Sequence, residues 1–268
     1  MSITSSIADL LRTAAGIETH RFTSAIIVAA GASRRMAGAG SKQMMELEGM
    51  PVIARTLRTF NDSPHIDEII VVAREDEMEI YPRLSQLYGF TKIAAVVKGG
   101  ETRAESVMRG FRKISDKAKY VAIHDGARCL LTEEMLTAVW QKAHRHGAAI
   151  AATRAIDTIK LADDKGFVAE TRDRNLIWQA QTPQIFAVNV YTAALYTAKE
   201  NGTLDSATDD SSLVEAIRHP VKLVECGRDN LKITTPDDLV RVSGILAARR
   251  AAAAERAPQG GTKQEDAT

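Results

Sequence analysis

The chain alternates short, nearly continuous apolar runs with longer segments in which apolar positions recur every three or four residues. Five runs read as strands covered on both faces: 25–30, Glu68–Ala73, Ile93–Val97, Tyr120–His124 and Ala148–Ala152. Between them, Val52–Asn61, Glu75–Tyr88, Arg103–Ser115 and Glu133–His146 carry the helical period. Strands that alternate with helices build βα units, so the pattern predicts an α/β fold with a Rossmann-like, doubly wound, mainly parallel sheet.

The rhythm breaks after Ala155. Thr158–Ala162 and Phe167–Thr171 flank the turn-forming Asp163-Asp-Lys-Gly and predict an inserted β-hairpin arm at about residues 155–175, either projecting or folded back on its own sheet. Further on, the pattern predicts a helix over Val188–Asn201, a polar loop at 206–212, a strand over Val221–Glu225 and a closing helix from Pro236 to about Arg250. Residues 1–22 read as an N-terminal extension with a short amphipathic helix, 23–250 as one domain, and 251–268 as a disordered tail.

Composition then removes several function classes. Of 268 residues, 45% are apolar and 26% charged, with a formal net charge of +1. A dedicated nucleic-acid binder would carry a basic excess, so any cationic site must be local. No apolar run approaches a membrane span, and no basic segment leads into a long apolar core. Cys129 and Cys226 stand far apart without a CxxC or Cys/His cluster, which suggests neither a disulfide framework nor a zinc site. These features predict a soluble, cytoplasmic chain without nucleic-acid or membrane partners.

The candidate chemistry starts in the loop after the first strand, Ala29-Ala-Gly-Ala-Ser-Arg-Arg-Met-Ala-Gly-Ala-Gly-Ser-Lys-Gln. Small residues let a ligand approach the backbone, Arg34, Arg35 and Lys42 supply charge for phosphate, and the carboxyl end of a strand is where open α/β sheets bind ligands. It is not a dinucleotide fingerprint, because Gly31 is followed by Ser33 and Arg34, nor a Walker A loop, because Ser41 precedes Lys42 and Gln43 follows it. His124 precedes Asp125 on a strand, where successive side chains point to opposite faces, and reads as a core histidine; His144 and His146 do not share a helix face.

The motif Ala29-Ala-Gly-x-x-x-Arg-Met with Ser41-Lys-Gln resembles the signature of sugar-phosphate nucleotidyltransferases. Five later motifs narrow the resemblance: Gly99-Gly-Glu-Thr-Arg-Ala-Glu-Ser-Val, His124-Asp-Gly-Ala-Arg, Asp157-Thr-Ile-Lys, Asp173-Arg-Asn-x-x-Trp-Gln-Ala-Gln-Thr-Pro-Gln and Asp229-Asn-Leu-Lys-Ile-Thr-Thr-Pro-Asp-Asp-Leu. Over about residues 23–247 the chain is similar to the 2-C-methyl-D-erythritol 4-phosphate cytidylyltransferases. The resemblance implies transfer of CMP from CTP to that polyol phosphate with release of pyrophosphate; ribitol 5-phosphate or another polyol phosphate is the alternative acceptor, and a nucleotide-binding regulator without turnover is the alternative class.

By resemblance, Arg35, Lys42, Arg174 and Lys232 are the catalytic cations, and Ala29, Ala30, Gly31, Gly100, Glu101, Arg103 and Ser106 bind the nucleotide. Asp125, Gly126, Arg128, Thr158 and Thr208 fall at substrate-binding positions, and Asp125 and Asp229 at positions suited to Mg²⁺ or another divalent cation. The hairpin matches an arm through which relatives form homodimers. Two plain structural alternatives stand beside these roles: Thr102 capping a helix with Arg103 and Glu105 solvated in its first turn, and Asp125 as a strand-end cap. Gly126 and Cys129 depart from the common Ala and Pro, Glu101 from the common Asp, and Asp210 from the common Glu.

Overall fold

The computed structural model describes residues 21–31 and 41–256. In chain order, β1 (Thr23–Val28) is followed by a small hairpin of β2 (Glu46–Leu47) and β3 (Met50–Pro51), then α1 (Val52–Asp62), β4 (Glu68–Ala73), α2 (Ile80–Tyr88), β5 (Ile93–Lys98), α3 (Arg103–Phe111), β6 (Tyr120–Asp125), α4 (Glu133–His146) and β7 (Ala148–Arg154). Next come the arm strands β8 (Lys160–Ala162) and β9 (Val168–Thr171), then β10 (Trp178–Ala187), α5 (Val188–Glu200), α6 (Asp210–Ala216), β11 (Lys222–Glu225) and α7 (Pro236–Arg256).

The main sheet has seven strands in the order β11-β7-β10-β6-β1-β4-β5. All run parallel except β10, which lies antiparallel between β6 and β7. Alternate residues of one strand feed the two apolar layers that cover the sheet. Ala25 and Ile27 pack with Ile53, Leu57 and Phe60 of α1 and Leu136, Val139 and Trp140 of α4, whereas Ile26 packs with Val107 of α3, Tyr191 and Ala194 of α5 and Leu213 of α6. This is why β1 reads as an unbroken apolar run: neither face meets water.

Three elements near the site differ from the sequence expectation. The stretch 178–187 is a full central strand, although its Gln, Thr and Pro residues give no strand pattern. The polar loop at 206–212 contains the start of α6, with Asp209 as N-cap accepting a hydrogen bond from the Ser212 amide at 3.0 Å. The closing helix runs to Arg256, into the segment expected to be tail. Elsewhere the elements expected within the described residues are present, the arm is a hairpin of β8 and β9 that pair with each other, and the short helix expected in the N-terminal extension lies outside the described residues.

Candidate active site

From β1 the chain moves to β4 on one side, while β6 joins β1 on the other, so the carboxyl ends of β1 and β6 flank a topological switch point. Such points are where open α/β sheets receive ligands. A cavity of about 300 Å³ opens there, lined by Ala30 and Gly31 after β1, Gly100, Glu101 and Thr102 after β5, and the side chains of Lys42, Arg103, Ser106, Asp125 and Lys232.

Glycine makes the meeting of the two loops possible. A Cβ on Gly99 would collide with the Cβ of Ala30, so the two loops close on each other only with hydrogen at that position. The Gly100 amide donates to Ser106 Oγ at 3.0 Å, which folds the loop back on α3. Thr102 caps α3, its Oγ1 accepting from the Glu105 amide at 3.0 Å, and Glu105 Oε2 in turn accepts from the Glu101 amide at 2.8 Å. The capped loop is thus also a wall of the cavity. Arg103, however, is not a solvated first-turn residue but points to two carboxylates.

Asp125, at the end of β6, is the electrostatic centre. Lys232 Nζ lies 2.9 Å from its Oδ2, Arg128 Nε 3.5 Å from the same oxygen, and Arg103 Nε 3.5 Å from Oδ1. Burial would raise this carboxyl, but Lys232, Arg103 and Arg128 outweigh it and hold it well below the usual carboxylate range. It is an anion that organises cations.

Behind Asp125, His124 is fully buried. Its Nε2 is 3.2 Å from the Arg128 carbonyl, which can only accept, so Nε2 carries the proton and Nδ1 accepts from the Thr182 hydroxyl at 3.0 Å. The Thr182 oxygen accepts the Asp125 amide at 3.0 Å, which closes a chain from β6 to β10 and back. Burial pushes His124 down to about 3, so it is neutral and, as expected, part of the core.

The polar residues of β10 bind the site together. Its register on β7 shifts between Ala180 and Gln184. Gln181 Oε1 and the Thr182 carbonyl accept from Asn230 Nδ2 at 3.0 and 2.8 Å, and the Asn230 carbonyl accepts from Arg128 Nη1 at 2.8 Å. Gln184 Oε1 accepts the amides of Asp210 and Ser211 at 3.0 and 2.9 Å, and its Nε2 donates to Asp209. Motif matching assigns no role to Gln181, Thr182, Gln184 or Asn230, although all four lie within motifs. The available signal was a run of Gln and Thr in a segment bounded by apolar residues.

Of the expected site residues, Ala30, Gly31, Lys42, Gly100, Glu101, Arg103, Ser106, Asp125 and Lys232 converge on the cavity, with Arg128 paired to Asp125 and the buried Ala29 donating its amide to Val72 at 2.7 Å. Gly126 underlies the same edge, where a Cβ would come within 2.8 Å of Ile53 Cδ1. Arg34 and Arg35 lie outside the described residues, as do 1–20 and 257–268. Thr158 and Arg174 are exposed at the base of the arm, Arg174 Nη1 donating to the Ile156 carbonyl at 3.1 Å. Thr208 lines a second, more open hollow of about 770 Å³ with Leu176, Trp178 and Leu223.

The metal role expected for Asp125 and Asp229 does not fit this arrangement. Both Asp125 oxygens face cations, Asp229 Oδ2 lies 3.6 Å from Arg249 Nη2, and among the described residues no three His, Cys, Asp or Glu side chains converge. Mg²⁺ bound with substrate phosphates uses one or two protein carboxylates, and here the Asp125 oxygens are already taken up by cations. Cys129 and Cys226 are free and buried, and burial raises each thiol to about 11, so neither is a nucleophile.

Comparison with known proteins agrees with this picture. A family model described as IspD: 2-C-methyl-D-erythritol 4-phosphate cytidylyltransferase matches residues 23–248. A protein named 2-C-methyl-D-erythritol 4-phosphate cytidylyltransferase from Syntrophus aciditrophicus is 41% identical over 223 residues, which cover 83% of this chain and 94% of the relative. One of the same name from Lachnospira eligens is 40% identical over 225 residues, 83% of this chain and 97% of the relative. The crystal structure of 4-diphosphocytidyl-2C-methyl-D-erythritol synthase from Anaerococcus prevotii matches with a TM-score of 0.75 and 31% identity, over 85% of this chain and 97% of its own.

Proposed function

The chain belongs to the 2-C-methyl-D-erythritol 4-phosphate cytidylyltransferase family, a group of nucleotidyltransferases, and we propose that the cavity at the β1–β6 edge is where it performs that reaction. CMP passes from CTP to the polyol phosphate, giving 4-diphosphocytidyl-2-C-methyl-D-erythritol and pyrophosphate for isoprenoid precursor synthesis. The observation that carries the assignment is the convergence of Lys42, Arg103 and Lys232 on one cavity walled by two glycine-containing loops.

The chemistry asks for charge and alignment more than for proton transfer. A phosphate monoester has a second pKa near about 6, so the attacking oxygen is largely deprotonated at neutral pH. No general base is needed, which suits a site whose histidine is buried and neutral and whose aspartate is clamped by cations. Lys42 and Lys232 offset the charge that develops on the α-phosphoryl group, and the small residues 29–31 and 99–100 let the nucleotide lie close to the backbone. A divalent cation would take its oxygen donors mainly from the nucleotide's phosphates and would offset their charge there.

The arm supports a homodimer as part of the same proposal. β8 and β9 pair with each other, away from the main sheet, and Phe167, Val168 and Leu176 are 71%, 63% and 77% exposed. A two-stranded hairpin with such a surface is marginal in water and gains by pairing with a second copy, which would carry Thr158 and Arg174 toward the partner's site. Among the described residues no helix is long and apolar enough to cross a membrane. The working compartment is taken as the cytoplasm, where two buried free thiols remain reduced.

The test is pyrophosphate release from CTP and Mg²⁺ with 2-C-methyl-D-erythritol 4-phosphate or ribitol 5-phosphate as acceptor, in the parent and in Lys42→Ala. Turnover with the former, falling by about 10² or more in the variant, is expected. Turnover with ribitol 5-phosphate alone, or an unimpaired variant, overturns the proposal.

A further inference from the structure

Arg103 is shared between two carboxylates that belong to different halves of the fold. Its Nε lies 3.5 Å from Asp125 Oδ1, and its Nη2 2.7 Å from Asp210 Oδ2. Asp125 has Lys232 and Arg128 as well, so its charge is offset without Arg103. Asp210 is in a different position. It is 2% exposed, its Oδ1 accepts from the Tyr191 hydroxyl at 2.7 Å, and its buried Oδ2 has no aligned hydrogen-bond donor, which leaves the Arg103 guanidinium as its compensating charge.

Asp210 is also held still. Its amide donates to Gln184 Oε1 at 3.0 Å, and the Tyr191 ring that carries the bonded hydroxyl is fully buried, stacked on Phe186 and edge-on to Phe111, each at 5.2 Å. One residue before Arg103, Thr102 Oγ1 donates to Asp205 Oδ1 at 3.0 Å. The segment 204–210 therefore grips the nucleotide-side loop at two consecutive residues, and the same segment carries Thr208.

We propose that Asp210 is a positioning residue for nucleotide binding, holding the Arg103 guanidinium at the cavity by drawing it off Asp125. A buried carboxylate fixed by Tyr191 and Gln184 sets where one edge of the guanidinium lies, and a planar fork fixed at one edge is fixed everywhere. Without that charge, Asp125 captures Arg103 in a tighter pair, and the cavity loses a donor to a collapse within the apo protein. The inference rests on the reading that the cavity takes CTP, and it adds a residue outside the cavity on which CTP affinity depends.

The test is calorimetric titration of CTP with Mg²⁺ into the parent, D210N and D210E, each with its thermal midpoint measured. D210N keeps size and an acceptor for Tyr191 but lacks the charge, so its Kd rises about tenfold or more, as displaced positioning groups produce. D210E, which restores the charge, recovers most of the affinity. A purely structural role would lower the thermal midpoint and leave the Kd of the folded protein alone. An unchanged Kd in D210N, or equal losses in D210N and D210E, overturns the inference. Where D210N does not fold, Y191F decides: it removes the hydroxyl that holds Asp210, and a parental Kd there is a refutation. A parent that binds CTP but turns over no acceptor would sink the activity and leave this inference to the titrations; a parent that binds no CTP sinks both.

Discussion

His124 makes the stability of the fold depend on pH in a window that few other groups reach. Its folded pKa of about 3 lies far below the unfolded value of about 6.5, so the fold favours the neutral ring. Stability is complete above pH 6.5 and is lost as pH falls from there toward 3, because only the unfolded chain gains the proton. At pH 5 the unfolded ring is protonated by a factor set by about 1.5 pH units, at 1.36 kcal/mol each, so the loss is about 2 kcal/mol whatever the folded value, provided it lies below about 4. Carboxylates whose folded values are lowered contribute little above pH 5, since their unfolded values lie near about 4, and Glu77, raised by burial, acts alike in the parent and in a His124 variant. Urea unfolding at pH 7.5 and pH 5 in the parent and His124→Asn isolates the effect. Asn can still accept from Thr182 while losing the bond to the Arg128 carbonyl, so the variant starts lower by about 1–3 kcal/mol at both pH values. The parent should lose about 2 kcal/mol more than the variant between the two conditions. Equal losses in the two chains would refute the buried, neutral histidine and the hydrogen-bond chain built on it.

Two further outcomes stem from the geometry. Gly99→Ala drives a Cβ into Ala30, so it should destabilise the protein by about 1–3 kcal/mol and weaken CTP binding; a parental thermal midpoint together with a parental Kd would contradict the packing of the two loops. Replacing Phe167 and Val168 on the arm with Asp should convert a dimer into a monomer in sedimentation velocity while leaving the far-ultraviolet spectrum unchanged, and a parent that sediments as a monomer would remove the arm's assigned role.

Much of this was legible in the sequence, and the rest was hidden for identifiable reasons. β4 and β6, the two strands beside β1, announce themselves because both faces are buried, so apolar residues run almost without interruption through 69–73 and 120–123. β10 is just as central, yet its inner positions hold Gln181, Thr182 and Gln184, which are polar because they bond the loops at 209–211 and 230. A strand that serves a site gives up the pattern by which strands are recognised. The same holds for α6, whose opening Asp and Ser residues read as loop until Asp209 is seen to cap it. At the site, Lys42, Arg103, Ser106, Asp125 and Lys232 were identified through motifs, and the structure brings them to one cavity. Residue type alone cannot show that three cations surround Asp125. Nor does any motif spacing reveal that Arg103 and Asp210 meet.

The position of β10 also orders events during synthesis of the chain. The strands β5, β4, β1 and β6 are contiguous in the sheet and complete once residue 125 has emerged, so the two glycine loops can be in place early. The clasp on the Asp125 amide comes from Thr182, and the carboxylate that holds Arg103 from Asp210, both made much later by the ribosome. β10 must lie between β6 and β7 for the Thr182 clasp to form, and Asp210 and Lys232 follow it in the chain, so the site is completed only by the C-terminal third of the sequence. A chain that ends before β10 carries both glycine loops but lacks the Thr182 clasp on Asp125, the Asp210 partner of Arg103 and Lys232 together.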